Sequence, residues 1–326
     1  MTENWTAPGL IETTGSYWQG CTIMAAVQLD LFNQLNGKPD SPTGLAGRID
    51  VDPRALKMLL RALAALGLLE QKEDFYACSA AAKQFLVSDS PEYMGNIISH
   101  QHHLVESWAR LDQAVKTGQP QRQRSSFSGP EWQESFLLGM QNLANLIAPQ
   151  LVPQIPIGTR SKMLDLGGGP GTWSIHFCRH NPELHSTIFD LPGSQILAEN
   201  AIKSADMSDR IDFTGGDFNQ SALPGHYDLI WMSHILHGEG EANCRALIAK
   251  ASAALKPDGL LIIHEFILDD HGPGPVYPAL FALNMLLGTD SGASYSQAEL
   301  SGMLIAAGLE KPQRLALPPQ SRSGIL

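Results

Sequence analysis

Two periodicities of apolar and polar residues divide the chain near residue 160. Before it, apolar residues recur at helical spacing. Residues 16–36 carry Trp18, Ile23, Met24, Val27, Leu31 and Phe32 on one face and are predicted to form one helix. A turn-rich stretch, GKPDSPTG, follows. Pro53 opens a further helix, ALKMLLRALAALGLLE, with Gly67 near its end. The segment QKEDFYACS, holding Phe75 and Tyr76, reads as a short hairpin. Helix, helix, helix, then hairpin is the order of a winged helix. Residues 88–150 are predicted to be mostly helical, interrupted at Gly118-Gln119-Pro120 and by the polar run QRQRSSFSGP, an exposed loop.

After residue 160, apolar runs of strand length alternate with helical stretches. The predicted strands are 162–166, 186–190, 210–215, 227–233 and 259–266. Such alternation predicts an α/β domain with a doubly wound parallel sheet. The terminal SGIL reads as the start of a further strand, with the chain either continuing past Leu326 or closing on a short edge strand.

Composition narrows the function classes. The chain has 326 residues, 43% hydrophobic and 17% charged, as in an ordinary globular protein. Its formal net charge of -11 argues against nucleic acid as a partner, because a binding surface needs a basic stripe to displace counterions. The same charge disfavours anionic membranes, and no apolar run is long enough for a transmembrane helix. Cys21, Cys78, Cys178 and Cys244 are scattered, without a CxxC pair, which suits a reducing cytoplasm and suggests no zinc site. The N-terminus, MTENWTAPGL, lacks the basic-then-apolar order of a signal peptide. His100, His102 and His103 cluster without carboxylate or cysteine companions, so they read as a helix face rather than a metal site.

The first strand of the second region, MLDL, runs into GGGPGTW and then a helix. Strand, glycine turn and helix place a ligand at the carboxyl end of a parallel sheet. Gly167, Gly169 and Gly171 make G-x-G-x-G, which is not the G-x-G-x-x-G of a dinucleotide site. Asp165, just ahead of the turn, suits an ammonium and not a pyrophosphate. Asp190 ends the next strand and suits two ribose hydroxyls. Asp217 follows the third strand and suits an adenine amino group, with Phe218 against the ring. Three acids and a glycine turn at successive strand ends point to S-adenosylmethionine. The alternative is a tight turn with Asp helix caps.

On these residues the chain resembles class I methyltransferases. It is most similar to the plant caffeate-type and bacterial natural-product O-methyltransferases, through DLGGGPGTW, FDLPG, GGDF, HILHGEGEANCRALIAKASAALKPDGLLIIHEFIL and SYSQAELSGMLIAAGL. The resemblance implies a winged-helix dimerisation domain at 1–88, a helical linker lining the substrate at 89–155, and a Rossmann-like cofactor domain at 156–326. It implies a homodimer and adds Leu191 and Gly216 to the cofactor contacts. It also implies that His237 is the general base, oriented by Glu265, and that Phe136 and Met140 line the acceptor pocket with the apolar segment 281–287. Two positions depart from the family. Ser294 stands where a second glutamate is expected, and Ser233 stands where a lysine lies near the adenine.

The chemistry supports these assignments. A phenol, with a pKa of about 10, gains from losing its proton as it attacks a sulfonium methyl. An imidazole, with a pKa of about 6.5, is suited to take that proton. A carboxylate on its other nitrogen would set the tautomer. No metal is required. Taken alone, His237 would read as a capping or core histidine; its pairing with Glu265 favours catalysis. His234 reads equally as a substrate contact or a packed residue. His264 alternates with Glu265 along a strand and should face the opposite side. Glu239 and Glu241 read as a solvated helix start. The expected acceptor is a small hydroxylated, aromatic molecule; the alternatives are an N, S or C acceptor on the same fold, or a cofactor-binding protein without catalysis.

Overall fold

The computed structural model describes residues 5–124, 129–317 and 321–326. Residues 125–128 of the expected exposed loop lie outside the described residues. The chain forms two compact units.

The first unit comprises residues up to Val105 together with Glu134–Asn142. It opens with α1 (Ala7–Gly15) and α2 (Tyr17–Gln28), followed by α3 (Leu31–Leu35). The single helix expected over 16–36 is therefore broken. Asp30 takes a left-handed conformation with φ 56°, and its carboxylate accepts from the Asn33 side chain at 2.5 Å, starting the next turn. The second half of the turn-rich stretch is also helical, as α4 (Pro42–Ile49). Ser41 Oγ accepts from Gly44 N–H at 3.1 Å and Pro42 fills the first turn, so these turn formers act as a helix start. Asp52 caps α5 (Pro53–Ala65) in the same way, and Leu56, Leu60 and Leu63 bury one stripe of it. The hairpin is present, as β1 (Leu69–Lys72) antiparallel to β2 (Phe75–Cys78), followed by α6 (Ala80–Phe85) and the start of α7 (Gly95–Trp108). Tyr17 and Trp18 are 62% and 68% exposed, whereas Phe32 is 1% exposed and belongs to the core with Leu45, Leu60 and Tyr76.

The second unit begins with the end of α7 and contains α8 (Leu111–Thr117) and part of α9 (Pro130–Leu151). The alternating region then runs β3 (Lys162–Leu166), α10 (Thr172–His180), β4 (His185–Asp190), α11 (Gln195–Ser204), β5 (Ile211–Gly215), β6 (Tyr227–Ser233), α12 (Glu241–Ala253) and β7 (Leu255–Glu265). It ends with α13 (Val276–Gly288), α14 (Gln297–Ala306) and β8 (Gly324–Ile325). Strand order is β5-β4-β3-β6-β7-β8. The first five strands in this order pair parallel, while β8 pairs antiparallel with β7, so the sheet is mixed at one edge rather than wholly parallel.

Both faces of the central strands are covered, which is why β6 and the end of β7 are apolar at nearly every position. Met163, Ile188 and Trp231 pack against Trp173 and Phe177 of α10 and Ile202 of α11. Leu164, Ile230 and Ile263 pack against Leu247 of α12 and Leu300 of α14. From β3 the chain moves outward through β4 to β5, then returns to place β6 on the other side of β3. Ligands bind at such a reversal, beyond the carboxyl ends of the strands. Among the described residues no helix is long and apolar enough to cross a membrane.

Candidate active site

The expected site residues of the second unit gather where the topology directs them. Strand register pairs Leu166 with Phe189 and Met232, Asp190 with Gly215, and Ser233 with His264. The segments that follow β3, β4, β5, β6 and β7 therefore emerge side by side.

The glycine spacing has a backbone cause. Gly167, Gly169 and Gly171 take φ of 71°, 52° and 76°, all left-handed. Space excludes side chains as well. A Cβ on Gly167 would lie 2.5 Å from Ile235 Cγ2, and one on Gly171 would lie 2.4 Å from Ile188 Cδ1. Asp190 braces the turn: its Oδ2 accepts from Gly169 N–H at 2.7 Å, while Oδ1 accepts from Leu191 N–H at 2.7 Å and Ser194 Oγ–H at 2.9 Å. Burial pushes its carboxyl up, against those hydrogen bonds.

Asp165 is completely buried. Its Oδ2 accepts from Ser174 N–H at 3.2 Å and Oγ–H at 2.7 Å, tying β3 to the first turn of α10. Its Oδ1 has no partner. Burial pushes the carboxyl up to about 7; the Ser174 bonds oppose the shift and Asp190 adds to it. At the β5 end, a Cβ on Gly216 would lie 2.4 Å from Phe189 Cζ. Asp217 closes a turn, accepting from Asn219 N–H at 2.8 Å and the Gln220 amide at 2.9 Å. Phe218 beside it is half-buried, against the core.

His237 sits in a single 3-10 turn, Leu236–Gly238, after β6. Its Nδ1 lies 2.8 Å from Glu265 Oε2, and its backbone N–H donates to Glu265 Oε1 at 3.2 Å. Glu265 Oε2 also accepts from Phe266 N–H at 3.1 Å. Burial alone would raise the Glu265 carboxyl, but the charge and hydrogen bonds of His237, with His234 adding to them, hold the group below the usual carboxylate range. Four residues after β6 and the last residue of β7 are thus joined across adjacent strands.

Ser233 and His234 form a second polar element. Ser233 Oγ lies 3.1 Å from His234 Nδ1 and 3.0 Å from His264 Nδ1, and His264 Nε2 lies 2.7 Å from Ser323 Oγ. His264 turns away from Glu265 and stacks on Trp231 at 5.5 Å. Burial pushes His234 down to about 4 and His264 well below its usual range, so both are neutral at pH 7. His234 has a φ of 55°, left-handed for a residue other than glycine, and its Nε2 has no partner.

The apolar wall is partly that expected. Phe281 on α13 meets His237 edge-on at 4.7 Å, whereas Leu287, at the other end of segment 281–287, is buried in the core. Phe266 is a site residue that the sequence pattern did not single out. Its ring lies 4.4 Å from His234, 5.9 Å from His237 and 4.3 Å from Phe281, with Tyr277 beyond at 5.1 Å. An aromatic directly after Glu265 is the signal that could have found it. Ser294, in place of the second acid, donates to Pro278 O at 2.9 Å. Glu241 is exposed and pairs with Arg245, but Glu239 is 4% exposed and pairs with Arg124, so it is not on a solvated helix start. Phe136 and Met140 lie on α9 within the first unit, where Phe136 packs on His100 at 5.3 Å. Among the described residues, no group of three or more His, Cys, Asp or Glu is placed to hold a metal ion.

The residues present fit S-adenosylmethionine. Asp165 Oδ1 is a buried acceptor without a partner, as an ammonium requires, and the glycine turn has no side chain to fill the cradle.

Comparison with known proteins agrees. A sequence model of the O-methyltransferase domain matches residues 108–310, and one of the O-methyltransferase dimerisation domain matches residues 11–88. The chain is 33% identical over 324 residues to a 3-hydroxy-5-methyl-1-naphthoate 3-O-methyltransferase of Streptomyces sahachiroi, covering 97% of this chain and 93% of that one. It is 35% identical over 309 residues to the tetracenomycin polyketide synthesis 8-O-methyl transferase TcmO of Streptomyces glaucescens, covering 92% and 91%. Among solved structures, PigF with SAH superposes with a TM-score of 0.89 at 26% identity, covering 98% of each chain; the S-adenosyl-L-methionine-dependent methyl transferase PigF is known from Serratia sp..

Proposed function

The chain belongs to the S-adenosylmethionine-dependent O-methyltransferase family, and within it we propose that this enzyme methylates a hydroxyl of a small aromatic metabolite, with His237 as general base and Glu265 orienting it. The observation that carries the proposal is the 2.8 Å contact between His237 Nδ1 and a buried, ionised Glu265.

With Nδ1–H donated to Glu265, the other ring nitrogen, Nε2, keeps its lone pair. That nitrogen accepts the proton of the acceptor hydroxyl as the oxygen becomes a nucleophile. Glu265 then stabilises the imidazolium without taking the proton itself. S-adenosylmethionine, when bound, supplies a methyl group on a sulfonium that leaves as a neutral thioether. Asp165 Oδ1 would hold its ammonium, Asp190 its ribose, and Asp217 with Phe218 its adenine, while Leu191, Gly216 and Ser233 complete the walls. The rings of Phe266, Phe281 and Tyr277 beside His237 favour a flat acceptor. The naphthoate and polyketide named for the two relatives are of that kind. His234, Phe136 and Met140 are assigned to the acceptor side.

We assign residues 1–88 to a winged-helix dimerisation domain, 89–155 to a substrate-lining linker and 156–326 to the cofactor domain. Exposed Tyr17 and Trp18 support a homodimer. Four free cysteines support a cytoplasmic enzyme.

The test is His237→Ala. Turnover should fall about 10²-fold or more, while calorimetric affinity for S-adenosylhomocysteine stays unchanged. Near-normal turnover would remove the base and favour an N, S or C acceptor.

A further inference from the structure

We propose that Arg124 is a positioning residue for His237, acting through its ion pair with the buried carboxylate of Glu239; the inference rests on the reading of His237 as the base. Glu239 lies two residues past His237 and is almost fully buried. Its Oε1 accepts from Arg124 Nη1 at 2.7 Å and its Oε2 from Asn243 Nδ2 at 3.1 Å. Its carbonyl accepts from the Tyr295 hydroxyl at 2.7 Å, and His237 O accepts from Ala293 N–H at 2.9 Å. A Cβ on Gly238 would lie 2.4 Å from Arg124 Nη2, so the guanidinium packs directly on the residue next to the base.

The segment carrying Arg124 is itself tied down. Gln121 and Arg122 N–H both donate to Leu287 O, at 2.9 and 3.1 Å. Arg122 Nη2 donates to Asn284 O and Oδ1 at 3.2 and 3.0 Å, and Nη1 to Ser107 Oγ at 3.1 Å. Residues 121–124 therefore join α13 to the His237 turn. Since Phe281 of α13 packs on His237, one strap sets the acceptor wall and the base together. An ion pair that buries its carboxylate is a poor way to add stability, because the desolvation of that charge offsets the attraction. It does specify one geometry. Removing the cation leaves a buried carboxylate that must move toward water, taking the turn with it.

The experiment compares Arg124→Gln, Glu239→Gln, Arg124→Lys and the double variant Arg124→Gln/Glu239→Gln in the full chain. The readouts are kcat, the pH profile of kcat/KM and calorimetric binding of S-adenosylhomocysteine. Arg124→Gln should lower kcat by at least about tenfold, since small misplacements of a catalytic group are costly. Its cofactor-product affinity should stay unchanged. The acidic limb of its profile should move to higher pH, because a lone Glu239 carboxylate favours the imidazolium, and Glu239→Gln should move it to lower pH. The other groups facing His237, Glu265 at Nδ1 and His234 at a ring separation of 6.1 Å, are the same in every variant. The double variant, a neutral amide pair, should recover most of kcat and the original limb. Should Arg124→Gln fail to fold, the double variant and Arg124→Lys carry the same comparison, with Arg124→Lys keeping the limb while losing the guanidinium that packs on Gly238. Lower thermal stability with wild-type kcat and profile in both single variants would overturn the proposal, as would limbs moving in the same direction. His237→Ala separates the two readings: if it keeps turnover, the base is wrong, and if it alone loses turnover, the strap is wrong.

Discussion

Replacing Asp165 by Asn should make the ligand-free protein more stable above neutral pH and less able to bind S-adenosylmethionine. Asp165 is completely buried, and its carboxyl is raised from 3.8 to about 7, chiefly by burial. In the unfolded chain the proton leaves near 3.8; in the folded chain it stays until about 7. Between these values the folded state binds more protons, so stability falls as pH rises. A tenfold change in an ionisation constant corresponds to about 1.4 kcal/mol, so the rise from 3.8 to about 7 costs on the order of 4 kcal/mol once both states are ionised. Asn keeps an oxygen for the two Ser174 bonds and never ionises. Urea unfolding at pH 4.5 to 8.5, followed by fluorescence of buried Trp173 and Trp231 in the same unit, measures the difference. The variant should gain on the wild type steadily up to about pH 7 and then hold its lead. Its affinity for S-adenosylmethionine at pH 8 should fall about 10²-fold, the cost of removing one partner of a buried charge pair. Parallel stability curves would refute the burial argument, and unchanged affinity would refute the ammonium assignment.

Two further outcomes follow from the same geometry. Glu265→Gln should lower kcat by about 10²-fold or more through loss of the imidazole tautomer, with S-adenosylhomocysteine binding unchanged by calorimetry; wild-type kcat would show that Glu265 does not orient the base. Gly171→Ala places a Cβ 2.4 Å from Ile188 Cδ1 at a φ of 76°, so it should destabilise the cofactor unit by about 1–3 kcal/mol in urea titrations and weaken cofactor binding; an unchanged midpoint would show that the turn can relax.

Local features were legible where one physical cause dominates. Central strands covered on both faces are mostly apolar, so β6 and the end of β7 were visible as runs. Three left-handed backbone positions demand glycine, so the G-x-G-x-G spacing carried the turn directly. The contact between His237 and Glu265, 28 residues apart, was expected only through the family resemblance, because nothing local in the sequence pairs a histidine after one strand with a glutamate ending the next. What escaped depends on distant partners. Glu239 looks solvated beside Glu241 at the start of α12, but Arg124, 115 residues away, draws it inside. The left-handed Asp30 that breaks the helix expected over 16–36 leaves no mark in the spacing of apolar residues on either side of it. A two-residue strand such as β8 shows no direction in its composition, so its antiparallel pairing could not be read.

The contact from Gly169 N–H to Asp190 has a thermodynamic consequence for ligand entry. A turn of glycines would ordinarily sample many backbone states and lose that freedom when a ligand orders it. Here the ordering is completed during folding by the carboxylate of the neighbouring strand. Little conformational entropy is then left to surrender on association, and more of the contact energy is expressed as affinity.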